Sequence, residues 1–263
     1  ADILLFNTCS VRNHAEQRVL GRISNERHRK KDKPWFKIVL LGCMAQRIGQ
    51  RLLSEDLGID YAVGVDQYKS LPHLLTKESG FSFDFNSKEI YEEMLPRHQD
   101  SQCAYVTIMR GCNNFCSYCV IPLIKGKYRS KLPNDILREA EGLIQQGAKE
   151  IVIIAQDTSS FGHDLGEGIS LSSLLKELVK TDGLQWLRLL YCYPSNLTDE
   201  LISTIAEEDK ICNYLDIPLQ HLSDSILTQM NRPITKKQIY LLIEKLYKYV
   251  PEISLRSTFI VGF

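Results

Sequence analysis

The chain has 263 residues, 44% of them hydrophobic and 24% charged, which is the composition of an ordinary globular protein. Its 32 Lys and Arg residues balance its 32 Asp and Glu residues, so no overall field attracts nucleic acid, and an RNA contact would need a local basic patch. Its apolar runs are far shorter than the roughly 20 residues that span a bilayer, and its N-terminus lacks the basic region of a signal peptide. We therefore expect a cytoplasmic protein with no membrane partner.

The first part of the chain alternates between strand and helix patterns. The strand patterns cover 2–7, 35–42 and 61–64, and the helix patterns cover 15–23, 46–53 and 68–75. This order predicts an amino-terminal, doubly wound α/β domain over 1–78. Cys9 and Cys43 each follow a strand pattern. Because ligands bind outside the carboxyl ends of parallel strands, the two thiols are expected either to share one site or to be unrelated buried thiols.

Residues 79–102 lose this pattern and are rich in Ser, Asp, Asn, Lys and Pro, so we interpret them as a linker. Over 103–263 the alternation resumes. The strand patterns there cover 104–110, 150–156, 186–193, 213–219 and 253–262, with helix patterns over 134–146, 171–180 and 199–207 and from 224 and 235. The apolar strands resemble parallel strands covered on both faces, which predicts a partial (β/α) barrel. Since the chain begins and ends at a strand pattern, we expect a fragment that lacks both ends.

Three clustered cysteines follow the first strand of the predicted barrel, where loops carry active sites. Cys112, Cys116 and Cys119 have the spacing Cys-x3-Cys-x2-Cys. Soft thiolates bind zinc or iron–sulfur clusters, and the absence of a fourth Cys or His nearby in sequence leaves one metal position open. The spacing favours an iron–sulfur cluster over a three-ligand zinc site or chance clustering.

This loop, with the aromatic Tyr118 just before its last cysteine, resembles the radical S-adenosylmethionine (SAM) superfamily. The resemblance implies that Cys112, Cys116 and Cys119 bind a [4Fe–4S] cluster and that its open iron binds S-adenosylmethionine. It also implies one-electron cleavage of that cofactor to a 5′-deoxyadenosyl radical, which abstracts hydrogen from the substrate. An electron donor such as flavodoxin or ferredoxin is then a partner.

The resemblance narrows to the methylthiotransferases and covers essentially the whole chain. Segments 7–12 (NTCSVR) and 41–45 (LGCMA) look like the second and third cysteine motifs of that family's amino-terminal domain. The resemblance implies that Cys9 and Cys43 hold a second [4Fe–4S] cluster, with the third ligand upstream of Ala1, and that an RNA-binding β-barrel normally follows the radical domain.

Other residues are placed by the same resemblance where similar enzymes bind the methionine, ribose and adenine parts of S-adenosylmethionine. The predicted cofactor-binding residues, beside Tyr118, are Gln156, Gln220, Ile260 and Gly262. For Gln156 and Gln220 the alternative is a hydrogen bond that ties loops together. No catalytic residue beyond the cluster ligands is predicted. Cys103, Cys192 and Cys212 lack partners at ligand spacing and are interpreted as small core residues.

Two substrates are compatible with the family. One branch inserts a methylthio group at the β-carbon of an aspartate in a ribosomal protein of the decoding centre, and the other modifies an adenosine beside the anticodon of tRNA. Similarity to the tRNA branch lies in segments 7–12, 42–45 and 108–112. Similarity to the protein branch lies in segments 155–162, 214–221 and 255–259. Since the second set lines the predicted barrel mouth, we favour the ribosomal protein. A zinc-bound, non-catalytic interaction module is a third, more distant interpretation.

Overall fold

The computed structural model describes residues 1–10, 12–55, 57–86, 88–91 and 102–263. The chain forms two compact units, which are described separately. The first comprises 1–89 together with 120–126, and the second comprises 90–119 together with 127–263. Residues 92–101 of the predicted linker lie outside the described residues. None of the helices in the described part of the chain is long and apolar enough to cross a membrane.

The first unit is built on a parallel sheet with the strand order β1-β2-β3-β4. Its strands are β1 (Ile3–Thr8), β2 (Lys37–Gly42), β3 (Tyr61–Val63) and β4 (Gly80–Ser82), and its helices are α1 (Asn13–Glu26), α2 (Arg29–Asp32), α3 (Cys43–Ser54), α4 (Leu71–Leu74) and α5 (Ile121–Lys125). In the described part of this sheet, neighbouring strands follow one another in chain order. A doubly wound sheet would instead show a point where the strand order reverses. The predicted parallel α/β fold is confirmed.

Both faces of this sheet are covered, because side chains alternate along β2. Ile38 and Leu40 belong to the apolar cluster that includes Ile23 of α1 and Leu52 of α3. Val39, which points to the other face, packs in a second cluster with Leu74 and other residues. Because both faces of β2 are buried, its sequence is a continuous run of apolar residues instead of an alternating pattern.

One strand lies inside the region predicted to be a linker. β4 pairs in parallel with β3, with Gly80 opposite Tyr61 and Ser82 opposite Val63. The sequence does not reveal it because a strand of three residues at a sheet edge has no room for a repeating pattern. The ring of Phe81 stacks on Phe83 with centroids 5.3 Å apart, so the aromatic residues of this region belong to the first unit.

The second unit has a five-stranded parallel sheet with the order β11-β10-β9-β8-β5. The strands in chain order are β5 (Cys103–Thr107), β6 (Met109–Arg110), β7 (Arg129–Ser130), β8 (Glu150–Ile154), β9 (Trp186–Leu189), β10 (Ile211–Asp216) and β11 (Ser254–Arg256), of which β6 and β7 form a separate antiparallel pair. The helices are α6 (Pro133–Gln145), α7 (Leu171–Leu178), α8 (Asp199–Glu207), α9 (Asp224–Gln229) and α10 (Lys236–Tyr249). Alternating strands and helices around an unclosed sheet form the partial (β/α) barrel that the sequence predicts.

The last predicted strand, 253–262, is much shorter in the structure, where β11 covers Ser254–Arg256. The ladder is interrupted because the N–H of Leu219 donates to the side-chain oxygen of Ser257 (3.2 Å) instead of a backbone carbonyl. Beyond this point the chain still runs beside Gln220, because the N–H of Gln220 donates to the carbonyl of Thr258 (2.8 Å). The first predicted strand, 104–110, is divided between β5, which pairs with β8, and β6, which pairs with β7.

Candidate functional site

The cysteine loop, residues 112–119, begins after β6. Gly111 precedes it with a positive φ of 77°, a conformation that glycine adopts without strain. The N–H of Gly111 donates to the side-chain carbonyl of Gln156, which follows β8, at 2.8 Å. The start of the loop is therefore bonded to the end of the neighbouring strand. This hydrogen bond is the structural role that the sequence left open for Gln156 as an alternative to cofactor binding.

The three thiols of the loop share one environment. Burial raises the pKa of the Cys112 thiol to about 11, and the Asp157 carboxylate and the thiols of Cys116 and Cys119 add to the rise. Cys116 and Cys119 are half-buried. Within the described residues, no three His, Cys, Asp or Glu side chains are already gathered as a metal cage. The three thiols are close enough to influence the pKa of Cys112, although they are not arranged as a metal cage.

The middle of the cysteine loop is anchored by Asp157. The side-chain amide of Asn114 donates to this carboxylate at 2.8 Å. Ser159 and Ser160 donate to it at 2.7 Å each, and Asn196 donates at 3.0 Å. Asp157 is only 2% exposed, so its charge is stabilised by these hydrogen bonds.

The far side of the loop rests on residues 229–232, which comprise the last residue of α9 and the turn after it. Ser117 donates from its hydroxyl to the carbonyl of Gln229 (2.9 Å) and from its N–H to the carbonyl of Met230 (3.0 Å). The side-chain amide of Asn231 donates to the carbonyl of Phe115 at 2.9 Å. Phe115 and Asn231 both have positive φ, 47° and 54°, so each backbone is held in a left-handed conformation where the loop and the turn meet.

Arg232 ends this turn and lies among the aromatic side chains near Cys116. One guanidinium nitrogen is 3.8 Å from the Cys116 sulfur and 3.3 Å from the Tyr118 hydroxyl. Another donates to the carbonyl of Pro218 at 2.6 Å, and the guanidinium lies 4.4 Å from the ring centroid of Tyr193. Burial raises the pKa of both phenols, which keeps them neutral.

The sequence did not identify Arg232 or Asn114 as site residues, and it placed Asp157 only together with Gln156 at a strand end. Arg232 is separated from Cys116 by more than a hundred positions, and its neighbours Asn231 and Pro233 are typical of an ordinary turn. Asp157 stands beside the predicted residue Gln156, so a polar pair at a strand end was the available signal.

Cys9 and Cys43 follow two adjacent strands of the first unit. Thr8 and Gly42 are register partners at the carboxyl ends of β1 and β2, and each cysteine is the next residue. Cys9 is exposed, and Cys43 is the first residue of α3. The Thr8 hydroxyl donates to the carbonyl of Leu41 (2.6 Å) and accepts from the N–H of Met44 (3.2 Å). The structure therefore places the two cysteines directly after neighbouring strand ends, and their sharing of one site stays a prediction.

A partly buried ion pair supports the segment after Cys9. Arg47 of α3 donates two hydrogen bonds of 2.7 Å to the carboxylate of Glu16 in α1. Its third donor contacts the Ser10 hydroxyl at 2.7 Å, and Ser10 donates to Glu16. Ser10 is next to Cys9, so this network links the position of that thiol to two helices.

The radical SAM superfamily pattern matches residues 106–263, which include the cysteine loop and the five-stranded sheet. The chain belongs to the radical SAM superfamily. A second family, described as Uncharacterized protein family UPF0004, matches residues 1–64 and so covers Cys9 and Cys43. The predicted radical SAM fold is confirmed.

Curated relatives of this radical SAM chain carry the name Ribosomal protein uS12 methylthiotransferase RimO. The chain is 43% identical to the protein from Geotalea uraniireducens (strain Rf4) and 41% identical to that from Clostridioides difficile (strain 630). Both matches cover 100% of this chain and 60% of the relative. The chain therefore spans less than two thirds of the length of these relatives.

Solved structures of radical SAM enzymes share the fold. The methyltransferase TsrM from Kitasatospora setae, with cobalamin and a [4Fe-4S] cluster bound, matches with a TM-score of 0.69 at 16% identity, over 98% of this chain and 55% of that one. The cobalamin-dependent enzyme OxsB matches with a TM-score of 0.66 at 12% identity, over 98% of this chain and 41% of that one. At such low identity these similarities establish the fold alone.

Radical SAM proteins use a [4Fe–4S] cluster and S-adenosylmethionine, and the residues present fit both. The donor set is three thiols in one loop, with a guanidinium beside one of them. Two buried acceptors, Oδ1 of Asp216 and Oε1 of Gln220, have no hydrogen-bond partner within the described part of the chain. Unsatisfied buried acceptors are unusual in a protein and suit a polar cofactor.

The other predicted cofactor residues lie near the end of the sheet. Gln220 has a positive φ of 71°, and its carbonyl accepts from the N–H of Ile260 at 2.8 Å. Gly262 also has a positive φ, and the Tyr118 ring meets Phe263 edge to face with centroids 6.5 Å apart. The structure thus joins Gln220 to Ile260 through the backbone and brings Tyr118 to the last residue.

Proposed function

We propose that this chain is the catalytic part of a radical SAM methylthiotransferase that acts on a ribosomal protein of the decoding centre, uS12. The substrate carbon is the β-carbon of an aspartate. The observation that carries the proposal is the 43% identity to a uS12 methylthiotransferase over the whole chain. That alignment includes the cysteine loop, the UPF0004 segment and the barrel-mouth segments together.

In this proposal Cys112, Cys116 and Cys119 hold the radical [4Fe–4S] cluster. When bound, the cluster and S-adenosylmethionine supply one-electron chemistry that starts hydrogen abstraction from the substrate. The chain's own contribution is to position the loop, through Asp157 on one side and the 229–232 turn on the other. A rigid loop keeps the reacting groups within the short distance that hydrogen transfer needs.

The cofactor-binding roles rest on individual contacts. Gln220 offers a buried carbonyl oxygen that has no partner in the described structure. Gln156 has its carbonyl occupied by Gly111, so its amide nitrogen is the group available to S-adenosylmethionine. Ile260 and Gly262 provide backbone and apolar surface, and Tyr118 provides a ring face.

We propose that Cys9 and Cys43 hold a second [4Fe–4S] cluster with a third ligand from outside this chain. Their positions after register partners at two strand ends support a shared site. In this proposal an electron donor such as flavodoxin or ferredoxin reduces the radical cluster. Because the substrate is a ribosomal protein, the reaction takes place in the cytoplasm. No observation favours tRNA or a zinc-bound module over this function.

The test uses the full-length protein, purified and reconstituted anaerobically, with uS12 and tRNA supplied separately. We expect mass spectrometry to find a methylthio group on an aspartate of uS12. Methylthiolation of tRNA alone would contradict the substrate assignment. Zinc without iron or sulfide would contradict the enzyme itself.

Two cysteine variants and a control separate the clusters. Cys116→Ala should remove the iron of one cluster and abolish cleavage of S-adenosylmethionine, whereas Cys43→Ala should keep cleavage and lose methylthio transfer. Cys103→Ala is the control, because Cys103 is half-buried on β5 and outside both groups. Equal loss of iron in all three variants would show that the thiols have no distinct roles.

A further inference from the structure

Arg232 is a buried positive charge without a matching carboxylate. It is 5% exposed, and no Asp or Glu in the described part of the chain forms an ion pair with it. Buried charges in proteins are ordinarily paired, because removing a charge from water is costly unless an opposite charge compensates. The surroundings of this guanidinium should therefore supply a negative group.

The groups around Arg232 identify one such partner. The Pro218 carbonyl and the Tyr118 hydroxyl are neutral acceptors, and Tyr193 contributes the face of a ring. The remaining contact is the Cys116 sulfur, 3.8 Å from a guanidinium nitrogen. A cysteine that binds iron is a thiolate. Among these contacts, Cys116 is thus the group that becomes negative when metal binds.

The turn before Arg232 fixes its position relative to this sulfur. Ser117, next to Cys116, is bound to the carbonyls of Gln229 and Met230, and Asn231 is bound to the carbonyl of Phe115. These hydrogen bonds hold the residues on both sides of Cys116 and the residues just before Arg232. The backbone that carries Arg232 is therefore held beside Cys116, and the hydrogen bond to the Pro218 carbonyl fixes the guanidinium there.

We propose that Arg232 is a positioning residue and the counter-charge of the Cys116 thiolate in the radical cluster. Its N–H···S contact orients the thiolate, and its charge favours the reduced cluster. Both effects make reduction easier, because an added electron is stabilised by a nearby positive charge and by hydrogen bonds to sulfur. This inference rests on the proposed assignment of Cys116 as a cluster ligand.

The test is a redox titration of the radical cluster, followed by electron paramagnetic resonance, in full-length protein that carries Cys9→Ala and Cys43→Ala so that one cluster reports. Arg232→Gln removes the charge and keeps a hydrogen-bond donor. We expect its equilibrium constant for reduction to fall at least about 10-fold, equivalent to about 59 mV for a one-electron couple. Arg232→Lys keeps the charge but cannot span the same contacts, so its shift should be smaller and in the same direction.

Arg188→Gln is the matched control, since Arg188 lies in the same unit and pairs with Glu150. We expect its equilibrium constant to change less than about 2-fold, because its charge is already compensated. An unchanged potential in Arg232→Gln, or an equal shift in the control, would overturn the inference. If circular dichroism shows that Arg232→Gln does not fold, an unchanged potential in Arg232→Lys overturns it.

Iron and sulfide are measured before each titration, so that two failures are kept apart. A parent protein without a [4Fe–4S] cluster contradicts the proposed function. A parent with the cluster, whose potential does not depend on Arg232, contradicts only the role of this arginine.

Discussion

The side-chain amide of Asn114 donates a hydrogen bond of 2.8 Å to the buried carboxylate of Asp157. This contact connects the middle of the cysteine loop to the chain that follows β8. The same carboxylate also holds Ser159, Ser160 and Asn196. One acidic side chain therefore organises both the loop and the end of the adjacent strand.

Asp157→Ala should destabilise the second unit strongly. The change leaves several buried donors without their acceptor, and we expect a loss of about 3 kcal/mol in the free energy of unfolding. Urea unfolding followed by circular dichroism measures it. Asp182→Ala is the control, because Asp182 is exposed, and it should change the stability little. Equal effects of the two changes would show that the Asp157 hydrogen bonds contribute nothing.

Gly42→Ala should strain the backbone between β2 and α3, directly before Cys43. Gly42 has a φ of 90°, and a methyl group there would lie 2.6 Å from the carbonyl oxygen of Thr8. We expect a loss of about 2 kcal/mol or more from the strained backbone and the clash. Thermal unfolding of the metal-free protein measures the loss.

Gly21→Ala provides the comparison for this glycine. Gly21 lies in α1, and a methyl group there would meet nothing within 4 Å. Alanine is a better helix former, so this variant should gain about 0.5 kcal/mol. A Gly42→Ala protein as stable as Gly21→Ala would contradict the strain argument.

Arg47→Gln should weaken the segment that carries Cys9. The Glu16 side chain is 11% exposed and loses a bidentate partner, whereas the Arg47 side chain is itself 37% exposed. Allowing for screening by solvent, we expect a loss of about 1–2 kcal/mol. Arg51→Gln on the same helix breaks an exposed pair with Glu55 and should cost much less. Similar losses in the two variants would mean that the Glu16 pair is no stronger than a surface pair.

Cys192 should make the stability of the metal-free protein depend on alkaline pH. Burial raises the pKa of this thiol above its ordinary value of 9.0, with Asp157 and Asp216 adding to the rise. The folded state therefore binds a proton that the unfolded state releases above pH 9.0, and stability present below that pH is lost as pH rises. For one such group the slope is about 1.4 kcal/mol per pH unit.

Cys192→Ala should remove this part of the pH dependence. Urea unfolding at a series of pH values above neutrality compares its slope with that of the parent protein. Ser172→Ala, at another buried position that does not titrate in this range, should keep the parent slope. An unchanged slope in Cys192→Ala would contradict the prediction.

The amino-acid sequence alone determined the alternation of strands and helices and the spacing of Cys112, Cys116 and Cys119. These features are local, because the period of an apolar pattern and the distance between ligands in one loop are visible within a short window. Strand-end reasoning placed Cys9 and Cys43 after two strands, and the Thr8–Gly42 register shows that these two strand ends are adjacent. Their roles as cluster ligands stay predictions.

Tertiary structure alone decided which residues hold the cysteine loop. Arg232 and Asn231 reach Cys116 and Phe115 across more than a hundred positions of sequence, and Asp157 reaches Asn114 across two helices and two strands. Nothing local marks such contacts, since a turn residue or a strand-end acid has the same pattern whether or not it meets a loop. Their pairing depends on how the sheet aligns the ends of its strands, which is a property of the packed chain.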